Sequence, residues 1–228
     1  MRHAVVTGSS SGIGEAIARR LLADGWRVTG LDRAAPAIAQ SGFETICVDL
    51  TDDSARAGAI GRLDTVTAMV HAAGIMRVNS LGQLDATEGE ALWRLHVGCA
   101  SALADALAPG LPAGGRIVLI GSLSSRGVAG RSQYAATKAA LVALARSWAV
   151  ELLQRAVTVN VVSPATTATA MLADPARSAV APVVPPIGRL IRPDEVAALT
   201  AFLLSEEASA ITGQEIFICG GASLRTAS

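Results

Sequence analysis

The stretch AVVTGSSSGIGEAIARRLL, residues 4–22, predicts three successive structural elements. Its first four residues, 4–7, are typical of a buried strand. A glycine-rich turn, 8–14, follows, and apolar side chains such as Ile17 and Leu21 then recur at the spacing of one helix face. A strand, a tight turn and a helix in this order form the opening unit of a parallel α/β sheet.

The rest of the chain repeats this alternation of short apolar runs and longer helical patterns. The predicted strands are 4–7, 27–31, 45–48, 65–70, 116–120, 157–162 and 215–218, and the predicted helices are 13–24, 52–61, 87–108, 132–154 and 193–204. We therefore expect an α/β fold with a doubly wound, Rossmann-type parallel sheet of about seven strands and helices on both faces. No linker or repeat divides residues 1–228, which predicts a single domain.

Composition narrows the class of protein. The chain carries 19 basic and 19 acidic side chains, and this zero net charge gives no electrostatic footprint for nucleic acid or an anionic membrane. Hydrophobic residues reach 51%, yet no apolar run approaches the ~20 residues of a membrane span. The three cysteines have no metal-ligand spacing, and the first residues lack the apolar core of a signal peptide. We expect a cytoplasmic protein without a metal.

The glycine turn has the residues of a phosphate-binding loop. Gly8, Gly12 and Gly14 permit a tight turn, close approach of a ligand and close packing of the helix on the strand. Free N–H groups at the start of the helix attract a pyrophosphate. A merely structural turn is the alternative, but the position between a strand and a helix favours phosphate binding.

Asp32 follows the second predicted strand, about twenty residues beyond the glycines. A carboxylate there accepts hydrogen bonds from the ribose hydroxyls of adenosine and repels a 2′-phosphate. The neighbouring Arg33 would suit a 2′-phosphate, but Ser11 in the glycine turn is not basic. The pattern favours NAD over NADP. Asp49 and Leu50 are placed to frame the adenine, and Asp49 alternatively caps the helix predicted from residue 52.

Tyr134 and Lys138 stand four residues apart in the predicted helix 132–154, so the phenol and the ammonium share one face. A phenol titrates near pH ~10, and a fixed neighbouring cation favours its phenolate. Tyr134, the only tyrosine in the chain, is therefore a candidate general acid/base. The same spacing also occurs in ordinary surface pairs, so the motif needs its context.

That context resembles the short-chain dehydrogenase/reductase family along nearly the whole chain. The motifs that carry the resemblance appear in order: TGSSSGIG (7–14), HAAG (71–74), Ser122, YAATK (134–138), NVVSPATTAT (160–169) and ITGQEIFICGG (211–221). Together they are far more specific than any one alone. The resemblance implies a nicotinamide cofactor and an oxidoreductase that acts on an alcohol or a carbonyl.

The resemblance also implies roles for individual residues. Tyr134 would be the general acid/base, Lys138 would lower the tyrosine pKa and bind the nicotinamide ribose, and Ser122 would hydrogen-bond the substrate oxygen. Ser124 and Ser125 are nearby alternatives for the serine role. The candidate cofactor-binding residues are Gly8, Ser10, Ser11, Gly12, Ile13, Gly14, Asp32, Asp49, Leu50, Ala72, Ala73, Gly74, Tyr134, Lys138, Pro164, Thr167 and Thr169.

Two departures from the family pattern affect the proton path. The segment 71–74 reads HAAG where the family usually has NNAG, which leaves backbone groups of Ala72 to Gly74 for the cofactor. His96 stands where the family usually has a catalytic asparagine that anchors a water leading to the lysine. An imidazole there either sustains a proton relay or is a buried, hydrogen-bonded helix residue.

We predict an oxidoreductase that transfers a hydride between NAD(H) and a small, largely apolar or neutral secondary alcohol or ketone. The segment 166–190 would form the substrate lid, and its side chains are mostly apolar; Arg77 and Arg177 are the nearby cations. The alternatives are an NADPH-dependent 3-ketoacyl-type reductase and a non-catalytic dinucleotide-sensing regulator. By its resemblance to the family, the protein should be a homotetramer or homodimer built through the helices 87–108 and 132–154 and through the C-terminal strand.

Overall fold

A single seven-stranded sheet organises the chain. The computed structural model describes residues 2–173 and 182–224. The strands lie in the order β3-β2-β1-β4-β5-β6-β7, and every neighbouring pair is parallel. The strands are β1 His3–Thr7, β2 Arg27–Asp32, β3 Phe43–Cys47, β4 Ala68–His71, β5 Arg116–Ile120, β6 Thr158–Pro164 and β7 Glu215–Ile218.

Within the described residues, six α-helices connect these strands. They are α1 Gly12–Ala23, α2 Asp53–Ile60, α3 Ala86–Trp93, α4 Cys99–Leu107, α5 Ser132–Leu152 and α6 Pro193–Leu203. Helices α1 and α6 cover one face of the sheet, with Ile17 and Val196 in that core. Helices α2, α4 and α5 cover the other face, where Leu103 and Leu141 are fully buried. The doubly wound α/β fold predicted from the alternating pattern is confirmed.

Burial on both faces explains why the strands are apolar runs rather than alternating ones. All residues of β1, β4, β5 and β6 are buried. A parallel sheet covered by helices on both sides gives no strand residue a solvated face. Each buried Val, Leu or Ile side chain contributes about 1.5–3 kcal/mol by leaving water.

The order of the strands fixes the place of the site. β1 lies between β2 and β4, so the chain turns to one side of β1 first and to the other side afterwards. In such sheets the crevice beyond the carboxyl ends of the strands, at this reversal, is the ligand site. Thr7 and His71, paired at the ends of β1 and β4, lie there.

The helix predicted over 87–108 has an irregular centre. Between α3 and α4, the residues Arg94–Gly98 form one π-helical turn. It carries His96, whose side chain is fully buried. Turns of this kind are frequent at functional sites, because the extra residue re-aims the side chains around it. A one-turn insertion hardly changes the apolar spacing, so the sequence does not reveal it.

Two smaller expectations differ from the structure. β4 begins at Ala68 rather than at residue 65, because the Thr67 hydroxyl satisfies the backbone of His3 before the strand starts. The cap of α2 is Asp52, whose carboxylate accepts the N–H of Ala55, and not Asp49. None of the helices in the described ranges is long and apolar enough to cross a membrane.

Candidate active site

The glycine turn is packed too closely for larger residues. Gly8 has φ +68°, and a Cβ there would lie 2.9 Å from the backbone of Ala73. A Cβ at Gly14 would lie 2.1 Å from the carbonyl oxygen of Gly8. Helix α1 begins at Gly12, and no side chain caps its first turn. The free N–H groups and the narrow cradle therefore fit a pyrophosphate, as predicted for Gly8 to Gly14.

Asp32 lies at the end of β2, next to the glycine turn. One carboxylate oxygen accepts the N–H of Ser10 at 2.9 Å, and the other accepts the N–H of Ala34 at 2.9 Å. Each oxygen keeps a further lone pair for a ribose hydroxyl. Asp32 thus shapes the loop and faces the position expected for the adenosine ribose. Ser11 is the first residue before α1 and is exposed.

Asp49 and Leu50, both expected beside the adenine, differ in exposure and in hydrogen bonding. The Asp49 carboxylate accepts the backbone N–H and the hydroxyl of Thr51, and these hydrogen bonds lower its pKa. Asp49 is exposed, whereas Leu50 is buried. Asp52, and not Asp49, caps α2, and the hydrogen bonds of the Asp49 carboxylate within the described chain go to Thr51.

Tyr134 and Lys138 share one buried face of α5. The Lys138 Nζ lies 5.8 Å from the centre of the Tyr134 ring, and both side chains are about 95% buried. The Lys138 ammonium donates to the carbonyl of Ile120 at 2.9 Å. Burial lowers the pKa of Lys138 to about 7. The predicted pair is therefore an interior pair, held against the end of β5, and not a solvated surface pair.

Ser122 stands just beyond β5 at the start of a 3-10 turn, Leu123–Arg126. Its Oγ accepts the N–H of Ser124 at 3.1 Å, which leaves the hydroxyl hydrogen for another acceptor. Ser124 is buried, and Ser125 donates its own hydroxyl to Glu215. Of the three serines, Ser122 lies closest in the chain to Ile120, which anchors Lys138.

The ring of His96 has hydrogen-bond partners at both nitrogens. The N–H of Ile75 donates to Nε2 at 3.1 Å, so the ring hydrogen is on Nδ1, which donates to the hydroxyl of Thr137 at 2.8 Å. Thr137 donates in turn to the carbonyl of Tyr134. Burial, followed by the charge of Lys138, holds the His96 pKa well below its usual value. Of the two roles left open by the sequence, the geometry supports the buried, hydrogen-bonded one.

His71 is a buried group at the site for which the sequence suggested no role. The hydroxyl of Thr7 accepts the N–H groups of Ala72 and Ala73, each at 3.0 Å, so its hydrogen is directed to His71 Nδ1, also at 3.0 Å. Burial, followed by the charge of Lys138, lowers the His71 pKa to about 3. The sequence feature that could have pointed to His71 is its position at the start of HAAG, at the end of a buried strand.

The backbone N–H groups of Ala72 and Ala73 therefore already have hydrogen-bond partners within the protein. Because both donate to Thr7, they are engaged in holding β4 beside β1. Gly74 is packed against the lysine: a Cβ there would lie 3.0 Å from His96 Nε2 and 3.7 Å from Lys138 Nζ. The segment 72–74 therefore offers a cofactor its carbonyl oxygens and the bare face of Gly74.

The segment after β6 reaches the glycine turn. β6 ends at Pro164, and Thr167 is buried with its hydroxyl donating to the carbonyl of Ala165 at 2.9 Å. A Cβ on Gly12 would lie 3.2 Å from the Thr169 side chain. Thr169 thus lies directly against the glycine turn, although the two are far apart in the sequence.

Apolar side chains surround the tyrosine. Tyr134 packs with the buried Met76 and Leu92 and with the partly buried Ile75 and Met171. This wall is suited to a carbon skeleton rather than to a charge.

Of the two cations expected near the site, Arg77 is among the described residues. Arg77 pairs with the carboxylate of Glu88 at 3.3 Å. Arg177 lies outside the described residues, as does the central part of the proposed lid, 174–181.

His71 should make stability depend on pH. Its pKa rises from about 3 in the folded state to the ordinary 6.5 on unfolding, so the unfolded chain binds an extra proton at acid pH. The free energy of unfolding should therefore be highest above pH 6.5 and fall on acidification towards pH 3, with a slope that approaches about 1.4 kcal/mol per pH unit for this group. In urea titrations between pH 7 and 5, His71→Asn should show a shallower dependence, and equal slopes would contradict the buried neutral ring.

Comparison with known proteins agrees with this geometry. The family model described as Enoyl-(Acyl carrier protein) reductase matches residues 8–223. The 3-oxoacyl-(acyl-carrier-protein) reductase of Salmonella typhimurium is 34% identical over 239 residues, and L-xylulose reductase of Bos taurus is 30% identical over 233; each match covers 96% of both chains.

Two solved structures extend the likeness. A short chain dehydrogenase from Burkholderia cenocepacia in complex with NADP has a TM-score of 0.88 and 36% identity, with 97% of each chain covered. The ligand-free aldohexose dehydrogenase of Thermoplasma acidophilum has a TM-score of 0.91 and 26% identity, covering all of this chain and 96% of the other. The chain therefore belongs to the short-chain dehydrogenase/reductase family and is an oxidoreductase of the nicotinamide-dependent kind.

Proposed function

We propose that this protein interconverts a small secondary alcohol and the corresponding ketone with NAD(H), with Tyr134 as general acid/base. The observation that carries the proposal is the buried pair on α5: the Lys138 ammonium lies 5.8 Å from the Tyr134 ring and is fixed by the carbonyl of Ile120. Ile120 is two residues from Ser122, so the strand that anchors the lysine also leads to the serine. This shared connection to the end of β5 supports a common role for the three groups.

The residues divide the chemistry as follows. When bound, the nicotinamide accepts or supplies the hydride. In the oxidative direction the Tyr134 phenolate oxygen takes the hydroxyl proton of the alcohol, and in the reductive direction the phenol returns it. In its protonated form the Lys138 side chain favours the phenolate, and the Ser122 hydroxyl donates to the substrate oxygen as negative charge develops there. The apolar wall around Met76 excludes water from the reacting carbon.

Tyr134→Phe tests this assignment. The change removes the proton carrier but keeps the ring in its packing site, so kcat should fall by about 10²–10⁴-fold. Binding of NADH, measured by fluorescence titration, should stay close to that of the wild type because the ring has no part in holding the adenosine end. Wild-type turnover in this variant would refute the mechanism.

The proposed preference for NAD rests on Asp32. Its carboxylate lies beside the glycine turn, where it would accept ribose hydroxyls and repel a 2′-phosphate. Arg33 is exposed next to it, and the solved relative from Burkholderia cenocepacia holds NADP. The local charge at Asp32 supports NAD, whereas Arg33 and this relative point the other way.

Cofactor preference is tested by comparing kcat/KM for NADH and NADPH in the wild type, Asp32→Ala and Asp32→Asn. The wild type should prefer NADH. Both variants should lose about 10-fold or more with NADH and gain with NADPH, because hydrogen bonds to a charged group contribute about 1.5–3 kcal/mol. Asp32→Asn is the matched control, since its amide oxygen can still accept the N–H of Ser10. A wild-type preference for NADPH would overturn the proposal.

The second candidate is an NADPH-dependent reductase of 3-ketoacyl groups. It is favoured by the 34% identity to a 3-oxoacyl-(acyl-carrier-protein) reductase over 96% of both chains. A panel of secondary alcohols with NAD, together with an acetoacetyl thioester of N-acetylcysteamine with NADPH, separates the two by nicotinamide absorbance. Turnover in either arm also excludes the non-catalytic sensor.

We propose that His96 is a positioning residue and relays no proton to or from Lys138. A relay through its ring would have to take the proton of the Ile75 amide, which does not ionise at neutral pH. The ring instead links the segment after β4 to Thr137, one turn from the catalytic pair.

His96→Asn distinguishes positioning from relay. If the ring carried protons, the pH profile of kcat would lose an ionisation between pH 5 and 8 in this variant. We expect kcat to change by a constant factor while the shape of the profile and its apparent pKa values stay the same. A lost ionisation would restore the relay role.

Assembly, lid and location also remain proposals. A homodimer or homotetramer through α4 and α5 is supported by the exposed Val150 and Leu153 and by a groove beside Trp148.

The segment 166–190 is proposed to cover the substrate; of its described parts, Val183 and Ile187 expose apolar side chains. The single domain over 1–228 and the cytoplasmic location stay predictions from the sequence.

A further inference from the structure

Glu215, the first residue of β7, has no role in the site described above, yet it binds the turn that carries Ser122. Its Oε1 accepts the hydroxyl of Ser125 at 2.9 Å and the hydroxyl of Ser163 at 2.7 Å. Ser125 belongs to the turn after β5, and Ser163 belongs to β6. One carboxylate oxygen therefore joins three neighbouring parts of the sheet edge.

The hydrogen bonds within the turn 122–126 are all between near neighbours in the chain. Ser122 Oγ accepts the N–H of Ser124, and the carbonyl of Ser122 accepts the N–H of Ser125 at 3.0 Å. These are short-range bonds, which fix the shape of the turn but not its place over the sheet. The hydrogen bond from Ser125 to Glu215 spans 90 residues and ties the turn to β7.

The packing beneath Ser122 is tight enough to transmit this placement. A Cβ on Gly121 would lie 2.4 Å from Ser163 Oγ and 2.6 Å from Val161 Cγ1. Because Gly121 has no side chain, Ser163 packs directly against the backbone that precedes Ser122. The second partner of Glu215 is thus in contact with the residue preceding the proposed substrate-binding serine.

A second contact with β7 orients the same turn. The Arg126 guanidinium lies over the ring of Phe217, 5.1 Å from its centre, and donates to the carbonyl of Ser223 at 3.1 Å. Phe217 is two residues beyond Glu215 on the same strand, so both side chains project from one face of β7. Two consecutive turn residues are therefore held by alternate residues of β7.

We propose that Glu215 is a positioning residue for Ser122: it fixes the turn 122–126 over the sheet so that the serine hydroxyl meets the substrate oxygen. This inference rests on the proposed role of Ser122. An oxyanion donor acts only at the correct distance, and a shift of about 1 Å costs up to about 10²-fold in rate. Removing the carboxylate should therefore lower kcat through Ser122, with little change in cofactor binding.

The test is a double-mutant cycle between Glu215→Ala and Ser122→Ala. Ser122→Ala should lower kcat by about 10²-fold. Glu215→Ala should lower kcat about 10-fold in the wild type and have no further effect when Ser122 is already alanine, because both changes remove the same interaction. The dissociation constant of NADH should stay unchanged throughout.

Matched variants separate positioning from general destabilisation. Glu215→Gln keeps an acceptor oxygen and should retain kcat within about threefold. Ser125→Ala cuts the link to the turn and should lower kcat, whereas Ser163→Ala leaves that link intact and should lower it less. Melting temperatures report any loss of folding independently.

The outcomes are distinguishable. Equal losses from Glu215→Ala with and without the Ser122 hydroxyl, or no loss at all, would overturn the positioning role and leave the proposed function standing. Unchanged kcat in Ser122→Ala alone would overturn the role of the serine itself and this inference with it.

Discussion

The buried ammonium of Lys138 is the constraint around which the site is arranged. It is about 95% buried, and it donates a hydrogen bond to the carbonyl of Ile120 at 2.9 Å. A buried charge is costly unless polar groups meet it, so α5 must lie with this face against the end of β5. That placement brings Tyr134 under the influence of the lysine and puts both beside the turn of Ser122.

Two neutral imidazoles surround this charge where the family usually has asparagines. His71 and His96 are fully buried, and in both rings burial and the charge of Lys138 depress the pKa. They stay uncharged at neutral pH and so do not repel the lysine. The Thr7 hydroxyl holds the His71 ring, and the Ile75 amide and the Thr137 hydroxyl hold the His96 ring, so both side chains are fixed by neighbouring elements.

Several residues combine structural and binding tasks. Asp32 holds the glycine turn through Ser10 and keeps lone pairs for a ribose. Glu215 joins β6 to the turn of the catalytic serine. Asp32 and Glu215 thus stabilise the loops beside the proposed site in addition to their proposed roles in ligand binding and serine positioning. The Asp32→Asn and Glu215→Gln variants separate loop stabilisation from these roles.

The sequence by itself determined the order of strands and helices, the glycine turn and the spacing of Tyr134 and Lys138, because these depend on local periodicity and on neighbours within one or two turns. Only the tertiary structure decided the partners of His71 and His96, the π-helical turn at Arg94–Gly98, and the link from Ser125 to Glu215. Those partners lie tens of residues apart in the chain. The order of the strands within the sheet sets which of them meet, and local patterns predict only the order along the chain.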